Sequence, residues 1–254
     1  QLTPSRIQMC LGDEAFCEAL REIHRIILLG EPWSMELKER LNRLTDARIF
    51  NIYGPTETSV HNCQGDITKE NCIHIGKPIG NCRYYLLDEA GRAVPPTAVG
   101  EIYIAGECLS QGYINQQDLT DQVFLPDPYF KGEKMYRTGD RGRLRADGNW
   151  QCLGRVDTQI KLNGHRIEPL EIAETMLQSG LVKEAAAVPV LKQGAVQFLR
   201  GAVVKADEYS EEALREFMKK RLPDYMMPSE IIVLEKLPRT ASGKTDLKKL
   251  AQTG

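Results

Sequence analysis

NIYGPTETS, residues 51–59, sets an amide, a phenol, a Gly-Pro turn, three hydroxyls and a carboxylate side by side. The run is too polar for a core strand and too constrained for an unstructured loop. What precedes it decides how it reads. Residues 14–24 have helical spacing, with Phe16, Leu20 and Ile23 on one face. Arg25–Leu29 reads as a buried strand closed by Gly30, and a second helix starts after Ser34, a good N-cap, through Leu37, Leu41 and Leu44. Ala47–Ile52 is strand-like and runs straight into the motif. Helix, strand, helix, strand predicts an α/β layer with parallel pairing. In such sheets ligands sit beyond the carboxyl ends of the strands, where NIYGPTETS falls.

From about residue 76 the pattern changes. YYLLD, GEIYIAG, GRLRADG and NWQCLG are short strands broken by Gly, Asp and Pro, which predicts antiparallel hairpins, with Asp147-Gly148 as the best turn. Near Asp157 it changes again. QIKLNGHRIEP reads as a hairpin, and Pro169–Ser179 as a helix with Pro in its first turn. Strands at 183–190 and 197–204, a helix from Ser210 to Arg221 and a short strand at Glu230–Leu234 complete a small α+β unit.

Bulk properties exclude several classes. Of 254 residues, 42% are hydrophobic and 27% charged, as in a soluble globular protein. A formal net charge of −2 argues against nucleic acid as a partner. No apolar run has the length of a membrane span. The cysteines, at 10, 17, 63, 72, 82, 108 and 152, form no C-x-x-C pair, so reduced thiols in a cytoplasmic setting are the simpler expectation. The histidines share no ligand-like spacing, and no metal site built by protein alone is expected. The chain lacks an initiator Met and reads as a piece of something longer.

Within the motif, Gly54-Pro55 forces a turn after the strand, and Tyr53 offers a flat face to a base. Asn51 can donate and accept at a purine edge. Thr56 offers a hydroxyl to phosphate, and Glu57 a hard oxygen to Mg²⁺. An ordinary turn with a capping Thr would use the same letters. In YRTGD (136–140), Asp140 suits two ribose hydroxyls, although TGD is also a common turn. Arg155, in LGRVD (153–157), suits ribose or phosphate, or a surface salt bridge. SGKT (242–245) is not a phosphate-binding P-loop, because the required Gly is replaced by Pro238. Lys244 can still bring a point charge to an oxyanion, or be a solvated lysine beside Lys248 and Lys249.

In this order NIYGPTE, GEIYIAGECLSQGYIN, YRTGD, GRVDTQIKLNGHRIEPLEIAE and LPRTASGKTD resemble the core motifs of the adenylate-forming (AMP-binding) superfamily. The branch they resemble best is the adenylation domain of nonribosomal peptide synthetases. The resemblance implies that residues 1–156 are the later part of the large N-terminal subdomain, with an α/β layer (1–75) and a mostly antiparallel, barrel-like β part (76–156). Residues 157–254 would be the small, mobile α+β C-terminal subdomain, hinged at Asp157.

The activity implied is condensation of an amino acid with ATP to aminoacyl-AMP and pyrophosphate, then transfer to the phosphopantetheine thiol of a peptidyl carrier protein. Tyr53 would stack on adenine beside Gly54, Asn51 would bond its edge, and Thr56 would touch the α-phosphate. Glu57 would help hold Mg²⁺. Asp140 and Arg155 would take the ribose, Lys244 would bridge carboxylate and phosphate, and Gly164 would face the pantetheine arm. Gln1, Ile27, Leu29, Ile52, Val60 and His61 would line the side-chain pocket. The family's phosphate loop and its ammonium-binding Asp do not occur in this sequence, so the isolated chain is expected to adenylate poorly. An acyl- or aryl-CoA ligase of the same superfamily, or a non-catalytic nucleotide-binding fragment, are the alternatives.

Overall fold

Two short helices open the chain, and side-chain caps start both. Thr3 accepts from the Arg6 amide ahead of α1 (Pro4–Cys10), and Asp13 accepts from the Ala15 and Phe16 amides ahead of α2 (Glu14–Arg21). The computed structural model describes residues 1–192, 195–240 and 243–253. They divide into two units, Gln1–Asp157 and Thr158–Gly254.

In the first unit β1 (Arg25–Leu29) is followed by α3 (Met35–Leu44), capped by Ser34 as its sequence predicts, and by β2 (Arg48–Tyr53). β1 and β2 pair in parallel, with Leu28 opposite Asn51 and Leu29 opposite Ile52. β3 (Cys63–Asp66) and β4 (Lys77–Pro78) extend the sheet antiparallel, giving the order β1-β2-β3-β4. One face of β1 and β2 carries Ile26, Leu28 and Ile49, which pack with Ile7, Leu37 and Leu41 of the helices into one core. The predicted helix at 14–24 ends early. Ile23 lies beyond α2 and is 42% exposed, because His24 already accepts from the Arg48 amide at the start of sheet pairing.

A second, antiparallel sheet follows: β5 (Cys82–Leu87), β6 (Gly100–Gly106), then α4 (Gln117–Val123), β7 (Phe124–Pro126), β8 (Lys134–Leu144) and β9 (Trp150–Arg155). Its order is β5-β6-β8-β7, with β9 also paired to β8. Asp147-Gly148 makes the predicted turn between β8 and β9, where Arg145 and Asn149 bond through their backbones at 2.9 Å. Tyr53 joins the core of this part with Tyr84, Ile102, Ile104 and Trp150. The C-terminal end of β2 thus leaves the helical core and enters the barrel-like one.

The second unit begins with the hairpin β10 (Ile160–Leu162) and β11 (His165–Ile167). Then come α5 (Pro169–Gln178), β12 (Val182–Lys192), β13 (Ala195–Lys205), α6 (Glu211–Lys219), β14 (Glu230–Val233) and α7 (Leu247–Gln252). The sheet order is β12-β13-β14, the first pair antiparallel and the second parallel. Ile172, Met176, Leu214 and Met218 pack one side, and Leu237 and Leu250 the other. α/β layering, a curled antiparallel sheet and a small α+β unit are the fold class that the sequence predicts.

Candidate functional site

The NIYGPTETS segment leaves β2 through a turn that tolerates no side chain at Gly54. A Cβ there would lie 2.4 Å from the Val60 carbonyl oxygen. Ser59 and Val60 take positive φ values of 61° and 67°, closing a one-turn 3₁₀ helix over Thr56–Thr58. The loop is bonded from several directions. Asn62 donates to the Thr58 carbonyl and accepts from the Tyr84 hydroxyl, and Ser59 donates to the Cys108 carbonyl at 2.9 Å. Ser110 donates its backbone N–H to the Glu57 carbonyl at 2.8 Å.

At the loop's entry, three residues far apart in sequence meet. The Tyr53 hydroxyl donates to Oδ2 of Asp140 at 2.5 Å, and Arg155 donates to Oδ1 at 2.9 Å. Asp140 and Arg155 stand opposite one another in the β8–β9 register. The remaining edge of the Arg155 guanidinium grips Asp157 at 2.6 and 2.7 Å. The Asp140 and Arg155 side chains are only 6% and 14% exposed. Burial, and then the Asp140 charge, push the Tyr53 phenol well above its ordinary pKa, so it is a neutral donor. Burial opposes the Arg155 cation, but Asp157 and Asp140 more than offset it, and its pKa is raised. Gly139 completes the cluster. Its φ is +73°, and a Cβ would sit 2.5 Å from the Arg155 guanidinium.

Asn51 shares a face of β2 with Tyr53, since side chains alternate along a strand. It is buried, accepts from the Trp33 indole N–H at 3.1 Å, and donates to the His74 carbonyl at 2.9 Å. Ile52 points to the opposite face, beside Leu29, with Ile27 two residues before Leu29 on the same face of β1. Asn51 and Tyr53 therefore face one side of β2, and Ile52, with Ile27 and Leu29 of β1, faces the other. Phe50 belongs with the second group by alternation, and sequence reading had not included it. Val60 is 50% exposed, His61 is half-buried, and Gln1 is exposed at the chain's start.

Thr56 is exposed, whereas Glu57 is buried and accepts the Tyr113 hydroxyl at 2.5 Å. Tyr113 and Trp33 were not foreseen. Their partners lie 56 and 18 residues away, and no local pattern announces either contact. Among the described residues no group of three or more His, Cys, Asp and Glu side chains could hold a metal. A hollow of about 480 Å³ lies beside β3 and β4, lined by Gln64, Asp66, His74, Lys77 and Asn149 among others. It includes none of the expected site residues. The seven cysteines form no disulfide.

In the second unit Gly164 has φ +82° in the β10–β11 turn, and His165 beside it stacks on Tyr225, 4.0 Å between ring centres. Lys244 is exposed on a turn where its carbonyl accepts from the Thr240 amide at 2.8 Å, beside the Arg239–Thr245 bridge. Ser242 of SGKT lies outside the described residues.

The geometry has counterparts in known proteins. Residues 1–114 match the model of the AMP-binding enzyme, and residues 171–244 that of the AMP-binding enzyme C-terminal domain. The chain belongs to the AMP-binding enzyme family. Bacitracin synthase 3 of Bacillus licheniformis is 38% identical over 258 residues, covering 99% of this chain but 4% of that protein. Surfactin synthase subunit 1 of Bacillus subtilis (strain 168) is 38% identical over 260 residues, covering 98% of the chain and 7% of that protein. Among solved structures, holo-PA1221, described as an NRPS protein containing adenylation and PCP domains, superposes with a TM-score of 0.84 at 29% identity. The match covers 98% of this chain and 43% of that one. These relatives place the family member in the nonribosomal peptide synthetase branch, as a stretch of an adenylation domain. It spans a small fraction of the synthases and about half of the solved adenylation proteins. No helix among the described residues is long and apolar enough to cross a membrane.

Proposed function

We propose that the chain supplies the nucleotide-holding end of an amino-acid-activating adenylation domain. The reaction joins an amino acid to ATP, releases pyrophosphate and leaves an aminoacyl-adenylate. The acyl group then passes to the phosphopantetheine thiol of a peptidyl carrier protein. One observation carries this reading: Tyr53, Asp140 and Arg155, from three separate motifs, form one buried hydrogen-bonded group. A turn-forming TGD or a surface salt bridge would have no reason to meet a tyrosine from another sheet.

In the proposed roles Tyr53 stacks on adenine where Gly54 lets the loop turn sharply, and Asn51 bonds the base edge. Asp140 exchanges the Tyr53 hydroxyl for ribose hydroxyls, with Arg155 kept beside it. Thr56, exposed at the head of the 3₁₀ turn, presents its hydroxyl to the α-phosphate. Glu57 is the one carboxylate offered to Mg²⁺. A single fixed carboxylate fits an ion that keeps phosphate and water in most of its shell. When bound, that ion neutralises charge on the phosphates. Ile27, Leu29, Ile52, Val60 and His61, with Gln1, bound the amino acid side chain.

The small unit is proposed to turn at Asp157 between the half-reactions. Lys244 then offers its ammonium to the carboxylate and phosphate oxygens in the first, and Gly164 leaves room for the pantetheine arm in the second. Support for a carrier partner comes from PA1221, whose adenylation and PCP domains share one protein. Titration of AMP against the chain, followed by ligand-observed NMR, tests the reading. Asp140→Ala, shown to be folded by circular dichroism, is expected to weaken binding about tenfold or more by removing the ribose acceptor. Equal affinity of both proteins refutes it.

A further inference from the structure

Asn51 is held by two partners of fixed and opposite polarity. The Trp33 indole N–H can only donate, and the His74 backbone carbonyl can only accept. The Asn51 oxygen therefore faces Trp33 and its amino group faces His74, at 3.1 and 2.9 Å. Turning the amide over would set donor against donor and acceptor against acceptor. Asn51 is only 5% exposed, so water does not compensate.

We propose that Trp33 is a specificity-determining residue for the nucleotide, acting by locking the hydrogen-bond polarity of Asn51. The inference rests on the reading that Asn51 meets the purine edge. After its two internal bonds the amide keeps one N–H and one oxygen lone pair for a ligand, in a fixed order. On its Watson–Crick edge a 6-amino purine presents a donor beside a ring acceptor, and a 6-oxo purine presents an acceptor beside a ring N–H donor. A freely turning amide would satisfy either, whereas a locked one, meeting a base held in one orientation, serves a single class, and under the proposed ATP-dependent reaction that class is the 6-amino purines. Trp33 is placed for this role. It follows the carboxyl end of β1, immediately before the Ser34 cap of α3, and packs against the core beneath β1 and β2.

The test compares AMP with inosine monophosphate, titrated against the chain by ligand-observed NMR. The wild type should favour AMP by about tenfold or more, the discrimination expected of one buried hydrogen-bonding contact. Trp33→Phe, which keeps the ring but loses the N–H, should cut that ratio about fivefold, mainly through AMP. Trp33→His, which restores a ring N–H, should recover part of it. A Phe variant that weakens both nucleotides equally, or neither, overturns the proposal.

Asn51→Ala separates the proposal from its premise. If this variant keeps the wild-type AMP preference, or if the wild type binds neither nucleotide, the base-reading role of Asn51 is wrong. Hydrogen exchange of the Trp33 indole N–H probes the lock without nucleotide. It should be slow in the wild type and clearly faster in Asn51→Leu, and equal rates in the two proteins overturn the lock.

Discussion

The Tyr53 hydroxyl donates to Asp140 at 2.5 Å across 87 positions of sequence, joining the end of one sheet to the middle strand of another. Each residue answers a need of the other. The buried carboxylate gains a neutral donor on one oxygen and the Arg155 cation on the second.

Asp140→Asn should therefore cost more than an average surface change. It leaves Arg155 with only one carboxylate at a site 14% exposed and turns an acceptor toward the Tyr53 donor into an amide. A loss of about 3–5 kcal/mol is expected, the range for breaking a buried ion pair. Urea unfolding should show it, and a loss below about 0.5 kcal/mol would place the pair in effectively solvated surroundings.

Gly139→Ala should perturb the same cluster from the backbone. Its φ of +73° is costly for alanine, and the new methyl group meets the Arg155 guanidinium at 2.5 Å. About 1–3 kcal/mol of destabilisation is expected from the strained backbone alone. Gly132→Ala serves as the comparison, because it has φ +87° with open space around its Cβ. Equal melting of the two variants would mean that the guanidinium yields freely.

Tyr113→Phe removes the hydroxyl that holds the Glu57 carboxylate. Glu57 is buried, so about 1–3 kcal/mol of stability should go with the lost bond. If Glu57 meets Mg²⁺ as proposed, Mn²⁺ binding in the presence of AMP, read by electron paramagnetic resonance, should weaken as well. Wild-type Mn²⁺ affinity in the Phe variant would detach Tyr113 from that role.

His74 predicts an acid-sensitive step. Its ring is 2% exposed, and its pKa is lowered chiefly by burial, against a raising pull from Glu70 at 3.9 Å. Below about pH 6.5 the unfolded chain takes up a proton that the folded chain refuses, so stability falls as pH drops. The loss ends once the folded pKa is passed. His74→Leu should flatten the melting temperature against pH below about pH 6.5. The same slope in both proteins would assign the step to other groups.

Much of this was legible in the sequence. The α3 cap at Ser34, the parallel pairing of β1 and β2 and the 163–164 hairpin turn are each signalled by a few adjacent residues. The short helices α1, α4 and α7 were not, since one or two turns give too little periodicity to register. Site residues that sit in motifs were named in advance. Those that act on motif residues from a distance, Trp33 on Asn51 and Tyr113 on Glu57, were hidden, because a hydrogen bond between distant positions leaves no trace in spacing.

One planar cation, Arg155, clasps Asp140 on one side and Asp157, the last residue of the first unit, on the other. On the proposed turn at Asp157, the two charge-assisted bonds from Arg155 would have to be released first, a cost that added salt should lower.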